Sequence, residues 1–225
     1  MRTRHRITRA AISAALILFL AACMGGAGLA PGGDGKPPKP VQRIAFYGGD
    51  VIVAGPPGYC VDPKSVQRRG GSGFALMASC GHLGTATAGD VPAAVITVSV
   101  LPRDARARMP SAREIAGPWV NVGVAQQVDG DGIALIQVER GGDSLLPAGD
   151  PRHWRGAMLI NGHLIGLAIY GDAGAKVSGD AGKALLLDTA KAMLAASPRR
   201  APAPEEIAAE TARAGSSGTG PGLFQ

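Results

Sequence analysis

Apolar positions along this chain follow two periodicities, and the two occur in order. From residue 43 to residue 170 they alternate or fall in short runs bounded by Gly, Pro and Asp, as strands require. Residues 43–47 and 50–53 flank Gly48-Gly49 and read as a hairpin. Residues 73–79 read as a third strand. In 93–101, Ile96, Val98 and Val100 face one side and Thr97 and Ser99 the other. Residues 111–116 read as a helical turn, with Ser111 as N-cap and Glu114 three residues on. Segments 120–128 and 133–139 flank the turn Asp129-Gly130-Asp131-Gly132. The strongest signal is 153–170, where Asn161-Gly162 separates two apolar runs. A two-residue turn there puts Trp154, Met158, Ile160, Ile165, Leu167 and Ile169 on a core face. His153, Arg155, Ala157, Leu159, Leu164 and Tyr170 fall on the opposite, half-polar face.

The period then changes. In 180–196, Leu186, Leu187, Ala190, Met193 and Leu194 form a helical stripe able to cover a sheet, with Ser178 or Asp180 to cap its start. Sequence-adjacent strands followed by one late helix predict an α+β domain: an antiparallel sheet with a C-terminal covering helix. The domain is read as 41–197. Aromatic residues make up 4% of the chain, too few for a carbohydrate platform of stacked rings. The order of short strands, long hairpin and final helix is similar to the PsbP/Mog1-like sandwich layout.

The flanks are of a different kind. Residues 1–22 carry Arg2, Arg4, Arg6 and Arg9, then an apolar run from residue 10 to residue 22. A membrane-spanning helix needs about 20 apolar residues, so this run suits a signal peptide. Leu20-Ala21-Ala22-Cys23 resembles the bacterial lipobox. That resemblance implies a diacylglycerol on the Cys23 sulfur, cleavage before it and acylation of the new amino group. Met24 at the following position, by the same resemblance, implies sorting to the outer membrane, on its periplasmic side. Residues 23–40 are rich in Gly and Pro and read as a tether. At roughly 3 Å per residue it reaches up to about 50 Å from a bilayer. Residues 198–225 read as a disordered tail.

Cleavage changes the charge. The chain carries +6, but without the four leader arginines it holds 19 basic and 17 acidic residues, or +2. The remaining clusters, Arg68-Arg69 and Arg103–Arg108, are small, and a nucleic-acid partner is not expected.

With Cys23 assigned to the lipid, Cys60 and Cys80 remain, and an exported compartment permits a disulfide between them. Closing a loop of about 20 residues contributes roughly 3 kcal/mol in the loop-entropy model. The alternatives are a metal site with His82, which lacks a fourth ligand, and a catalytic thiol. Pro56-Pro57-Gly58-Tyr59-Cys60-Val61-Asp62, with Phe74–Cys80 downstream, resembles a pattern in uncharacterised secreted proteins of alphaproteobacteria. No activity comes with that resemblance. The simplest reading is a Pro-Pro-Gly turn with Tyr59 packed on the disulfide.

Three patterns invite chemistry. His82, Asp90 and Ser144 follow the chain order of a chymotrypsin-like triad, but Leu145 stands where that family has Gly, and His82 follows its cysteine. The Asp129–Gly132 turn lacks the further oxygen ligands of a calcium loop. Gly70-Gly71-Ser72-Gly73 lacks the Lys-Ser/Thr of a phosphate loop and opens a strand; it reads as a mobile loop. His153 and His163 read as surface or rim residues. No catalytic, cofactor-binding or metal-binding residue is assigned. The expectation is a lipid-anchored envelope protein whose domain binds an envelope protein or a small ligand without catalysis. The alternative is an envelope hydrolase using Ser144.

Overall fold

The computed structural model describes residues 39–84 and 91–200. The leader, Cys23, most of the tether, Asp90 and the tail from residue 201 lie outside them. Strands β1 (Arg43–Phe46) and β2 (Val51–Ala54) form a separate antiparallel hairpin. Seven further strands form one sheet: β3 (Tyr59–Arg69), β4 (Ser72–Ser79), β5 (Val95–Arg103), β6 (Val124–Gly130), β7 (Ile133–Val138), β8 (His153–Ile160) and β9 (His163–Tyr170). Their order is β3-β4-β5-β9-β8-β7-β6, and every neighbouring pair is antiparallel. A short helix α1 (Ala112–Ala116) precedes β6, and α2 (Asp180–Ala196) closes the domain. The class is α+β, an antiparallel sheet with a C-terminal covering helix. No helix among the described residues is long and apolar enough to cross a membrane.

One face of the sheet carries the main core. Met77, Ile96, Val98, Trp154, Met158, Ile165 and Ile169 are fully buried there beneath Val51 and Val53 of β2 and Leu186, Ala190 and Met193 of α2. Burying each such side chain contributes about 1.5–3 kcal/mol. The turn after β8 is two residues long, with Asn161 at φ 52° and Gly162 at φ 80°. Positive φ at both positions is what a type I′ hairpin needs. That turn fixes the register Met158↔Ile165 and puts the apolar face of the hairpin on the core.

Several expectations are corrected. Strand β3 has no counterpart among the expected elements, and it carries Pro63. It is an edge strand with an irregularity between Asp62 and Gln67, where proline is tolerated. There the Ser65 hydroxyl accepts the Leu76 N–H at 2.8 Å in place of a ladder partner. The strand expected over 120–128 begins only at Val124, because Gly117–Val122 forms a 3-10 turn. Gly70 and Gly71, at φ 58° and 77°, make a tight β3–β4 turn rather than a mobile loop. The N-cap of α2 is Gly179, and neither Ser178 nor Asp180 caps the helix. Leu194 stands 42% exposed, so only part of the expected stripe faces the sheet. Both Pro198 and Arg200, read as tail, make hydrogen bonds to Asn161.

Candidate functional site

The sheet's second face is covered over only half its width. Over β6, β7 and β8 lie α1 and the 3-10 turn, whose Ala112 and Ala116 pack on Ala134, Ile136 and Val138. Ser111 and Glu114 form the capping box expected from sequence: Ser111 Oγ accepts the Glu114 N–H, and Glu114 accepts the Ser111 N–H at 2.8 Å. The Arg108 side chain bonded to Glu114 holds that carboxyl at about 2. Asp129, from the turn considered for calcium, accepts the Ala112 N–H at 2.6 Å and so ties the helix to β6. Among the described residues no group of three or more His, Cys, Asp or Glu side chains could hold a metal.

Over β4, β5 and β9 no element among the described residues covers the same face. One row of paired positions crosses it: Leu76, Thr97, Ala168, Arg155, Ile136. Leu76 and Thr97 are half-buried, and a Cβ built on Gly166 would meet only Ser99, at 3.9 Å. The result is a shallow trough with a small-residue floor, in which Ala168 and, at the end, Tyr170 are themselves buried while Thr97, Gly166 and Leu164 are partly exposed and Ser99 is exposed. It runs from Tyr170 to Leu164, about 20 Å at the usual rise of about 3.3 Å per residue. At the Tyr170 end is a cavity of about 160 Å³ shared with His82, Leu146 and Asp172. At the Leu164 end is an open cleft of about 720 Å³ beneath the 103–110 loop.

Where the open and covered halves meet, four side chains interlock. The Arg155 guanidinium lies 4.3 Å from the Trp119 ring centroid and donates from Nη1 to the Tyr170 hydroxyl at 3.3 Å. Tyr170 stacks on His153 with centroids 5.1 Å apart, and Trp119 meets His153 edge-on at 5.9 Å. His153 is therefore buried, not a rim residue, and burial holds its pKa below the ordinary histidine value.

His163 is buried too, on the core side. Its ring stacks on Tyr47 at 4.3 Å, and Nδ1 lies 2.9 Å from the Leu101 carbonyl. Nε2 has no hydrogen-bond partner among the described residues and stands 3.7 Å from an Asp50 carboxylate oxygen that Arg200 binds at 2.8 Å. Tyr47 holds this position with φ at 51°, uncommon for an aromatic residue. Burial raises its pKa, and its hydroxyl donates to the Gly71 and Val100 carbonyls. The knot fastens the β1–β2 hairpin to the β8–β9 turn.

The residues singled out from sequence are dispersed. Cys60 and Cys80 form a disulfide with Cα atoms 4.9 Å apart. Joined in this way, the pair presents no thiolate to a metal or a substrate. Tyr59 beside it is in the core, its hydroxyl donating to the Pro92 carbonyl at 2.7 Å; burial pushes its pKa to about 12. Ser144 is exposed in a turn and makes no hydrogen bond to a histidine among the described residues. His82 Nδ1 lies 2.7 Å from Ser79 Oγ, in a local turn. Asp90 and Cys23 lie outside the described residues. Sequence reasoning missed Trp119 and the pairing of Tyr47 with His163, which no local spacing signals. Arg155 and Tyr170 lie on the half-polar face that the alternation of 153–170 indicates, and their mutual contact has no local sequence signal. No family model, no curated protein and no solved structure matches this chain.

Proposed function

We propose that this protein is a lipid-anchored envelope protein, tethered through Cys23, whose folded domain is a non-catalytic binding module. The observation that carries the binding role is the open half of the second sheet face. A folded domain ordinarily covers or charges an apolar sheet face. Here one half is sealed by α1, and the other leaves Leu76, Val95 and Leu164 partly exposed beside an arginine. The trough is concave at both ends, as ligand sites are. The hydrolase alternative gains no support, since Ser144 has no histidine partner among the described residues and a serine nucleophile needs one within hydrogen-bond reach. The anchor rests on the lipobox resemblance.

Expression of the full chain in a Gram-negative host with tritiated palmitate tests the anchor. Wild type is expected to be labelled and to sediment with the outer membrane, and Cys23→Ser to be unlabelled and released from it. An unlabelled wild-type protein overturns the anchor. Catalysis is tested on the Cys23→Ser chain with ester, peptide and glycan libraries. Turnover abolished by Ser144→Ala overturns the non-catalytic reading.

A further inference from the structure

We propose that Arg155 is the anchor of a ligand site in the trough, and that the ligand is a carboxylate carried on an alkyl chain. This rests on the reading of the open face as a binding surface and names the chemistry it takes.

The arginine is unusual in its surroundings. Among the described residues no carboxylate lies within ion-pair distance of it, whereas Arg108, Arg152 and Arg200 each have one. A guanidinium partly withdrawn from water loses solvation that an ion pair would restore. Arg155 is only half-exposed, on an inner strand. Of its five N–H donors, the structure pairs one, with the Tyr170 hydroxyl. The Trp119 ring at 4.3 Å and the Tyr170 hydroxyl at 3.3 Å restrain the group. A planar fork held in place and left with free donors is the geometry that accepts a carboxylate through two parallel hydrogen bonds. Pre-ordering by the rings lowers the entropic cost of that contact.

The floor beside it selects the body of the ligand. Ala168, the residue paired with Arg155, is buried, and beyond it the accessible strand continues through Gly166 to Leu164, with Thr97 and Ser99 on the neighbouring strand. Four residue steps span about 13 Å. No charged side chain projects from these floor positions, so the surface suits methylene groups. Asp172 and His82 stand at the opposite end, beyond Tyr170. A chain running away from them toward Leu164 keeps its carboxylate apart from Asp172.

The test uses the full chain with Cys23→Ser, purified without detergent, and isothermal titration with decanoate, decanol and decyl phosphate below their micelle concentrations. Decanoate is expected to bind about tenfold or more tightly than decanol, the usual worth of a charge-assisted pair. Arg155→Gln is expected to abolish that preference, and Arg155→Lys to restore it only in part because the fork is lost. Arg69→Gln, at the far edge of the sheet, is expected to change nothing. Circular dichroism and thermal melting identify any variant that fails to fold, and Arg155→Lys then carries the comparison. Equal binding of decanol and decanoate, unchanged in Arg155→Gln, overturns the anchor while leaving the trough as a binding surface. Preference for decyl phosphate over decanoate overturns the carboxylate assignment. Absence of binding by all three overturns the proposal, and the trough is then judged separately by crosslinking in the envelope.

Discussion

Trp154 Nε1 donates to the Gly179 carbonyl at 2.7 Å, joining the middle of the sheet to the first turn of α2. The indole is completely buried, so this bond satisfies a donor that has no access to water. Gly182 sits against the same ring. A Cβ there would fall 2.8 Å from Trp154 Cδ1 and 1.9 Å from the Val177 carbonyl oxygen. Glycine at this point is what lets the helix approach.

Gly182→Ala therefore reverses the usual sign. In an open helix the change stabilises by about 1 kcal/mol. Here overpacking against backbone is expected to destabilise by about 3 kcal/mol or more. Urea denaturation followed by tryptophan fluorescence reads the difference. A midpoint equal to or above wild type contradicts the packing described.

The disulfide closes a 20-residue separation that includes the irregular part of β3. Replacing both cysteines by alanine is expected to cost about 3 kcal/mol, and reduction of the wild-type protein to cost a similar amount. Denaturation with and without reductant checks this. Loss of less than about 1 kcal/mol contradicts a structural role for the bond.

His153 gives the fold a pH dependence. Burial lowers its pKa in the folded state, while the unfolded chain titrates near 6.5. Above 6.5 both states hold it neutral, and its contribution is complete. As the pH falls from 6.5 toward the depressed value, the unfolded chain gains a proton that the folded chain does not. Stability is then lost at up to about 1.4 kcal/mol per pH unit. His153→Gln is expected to flatten the curve in that window. An unchanged slope in the variant assigns the dependence to another group.

Asn161 makes the β8–β9 turn do two jobs. Its Nδ2 donates to the Asp50 and Pro198 carbonyls at 2.7 and 2.9 Å. Asn161→Gly keeps the positive φ but removes both of these bonds and the one that Oδ1 accepts from the Arg200 N–H, and is expected to cost about 1–2 kcal/mol. Asn161→Ala adds backbone strain and is expected to cost more. Thermal melting of the two variants checks the order, and equal losses contradict it.

How far these features were legible depends on how local they are. The Asn161-Gly162 hairpin, the Ser111–Glu114 box and the bounds of α2 are set by residues a few positions apart, and all were readable. The cysteine pair followed from counting. Strand β3 was hidden because Pro63 and the Ser65 side-chain bond replace the regular alternation. His153 and His163 looked peripheral because their neighbours, Trp119 and Tyr47, are distant in sequence. The trough itself could not be read, since an open face is defined by what α1 covers and where it stops. Alternation marked one face of 153–170 as half-polar. Packing buries His153, Ala157, Ala168 and Tyr170 on that face, and the accessible part on β4, β5 and β9 is mostly apolar.

That open face is the central claim, and site-specific photo-crosslinking in living cells tests it most directly. A benzophenone amino acid is placed at Ser99, exposed on the trough floor, and separately at Lys191, exposed on α2, in the full lipid-anchored chain. Irradiated protein is purified and its mass measured. A discrete adduct from position 99, absent from position 191, is the expected result. Adducts confined to position 191, with none from 99, would show that the trough is not the surface this domain uses.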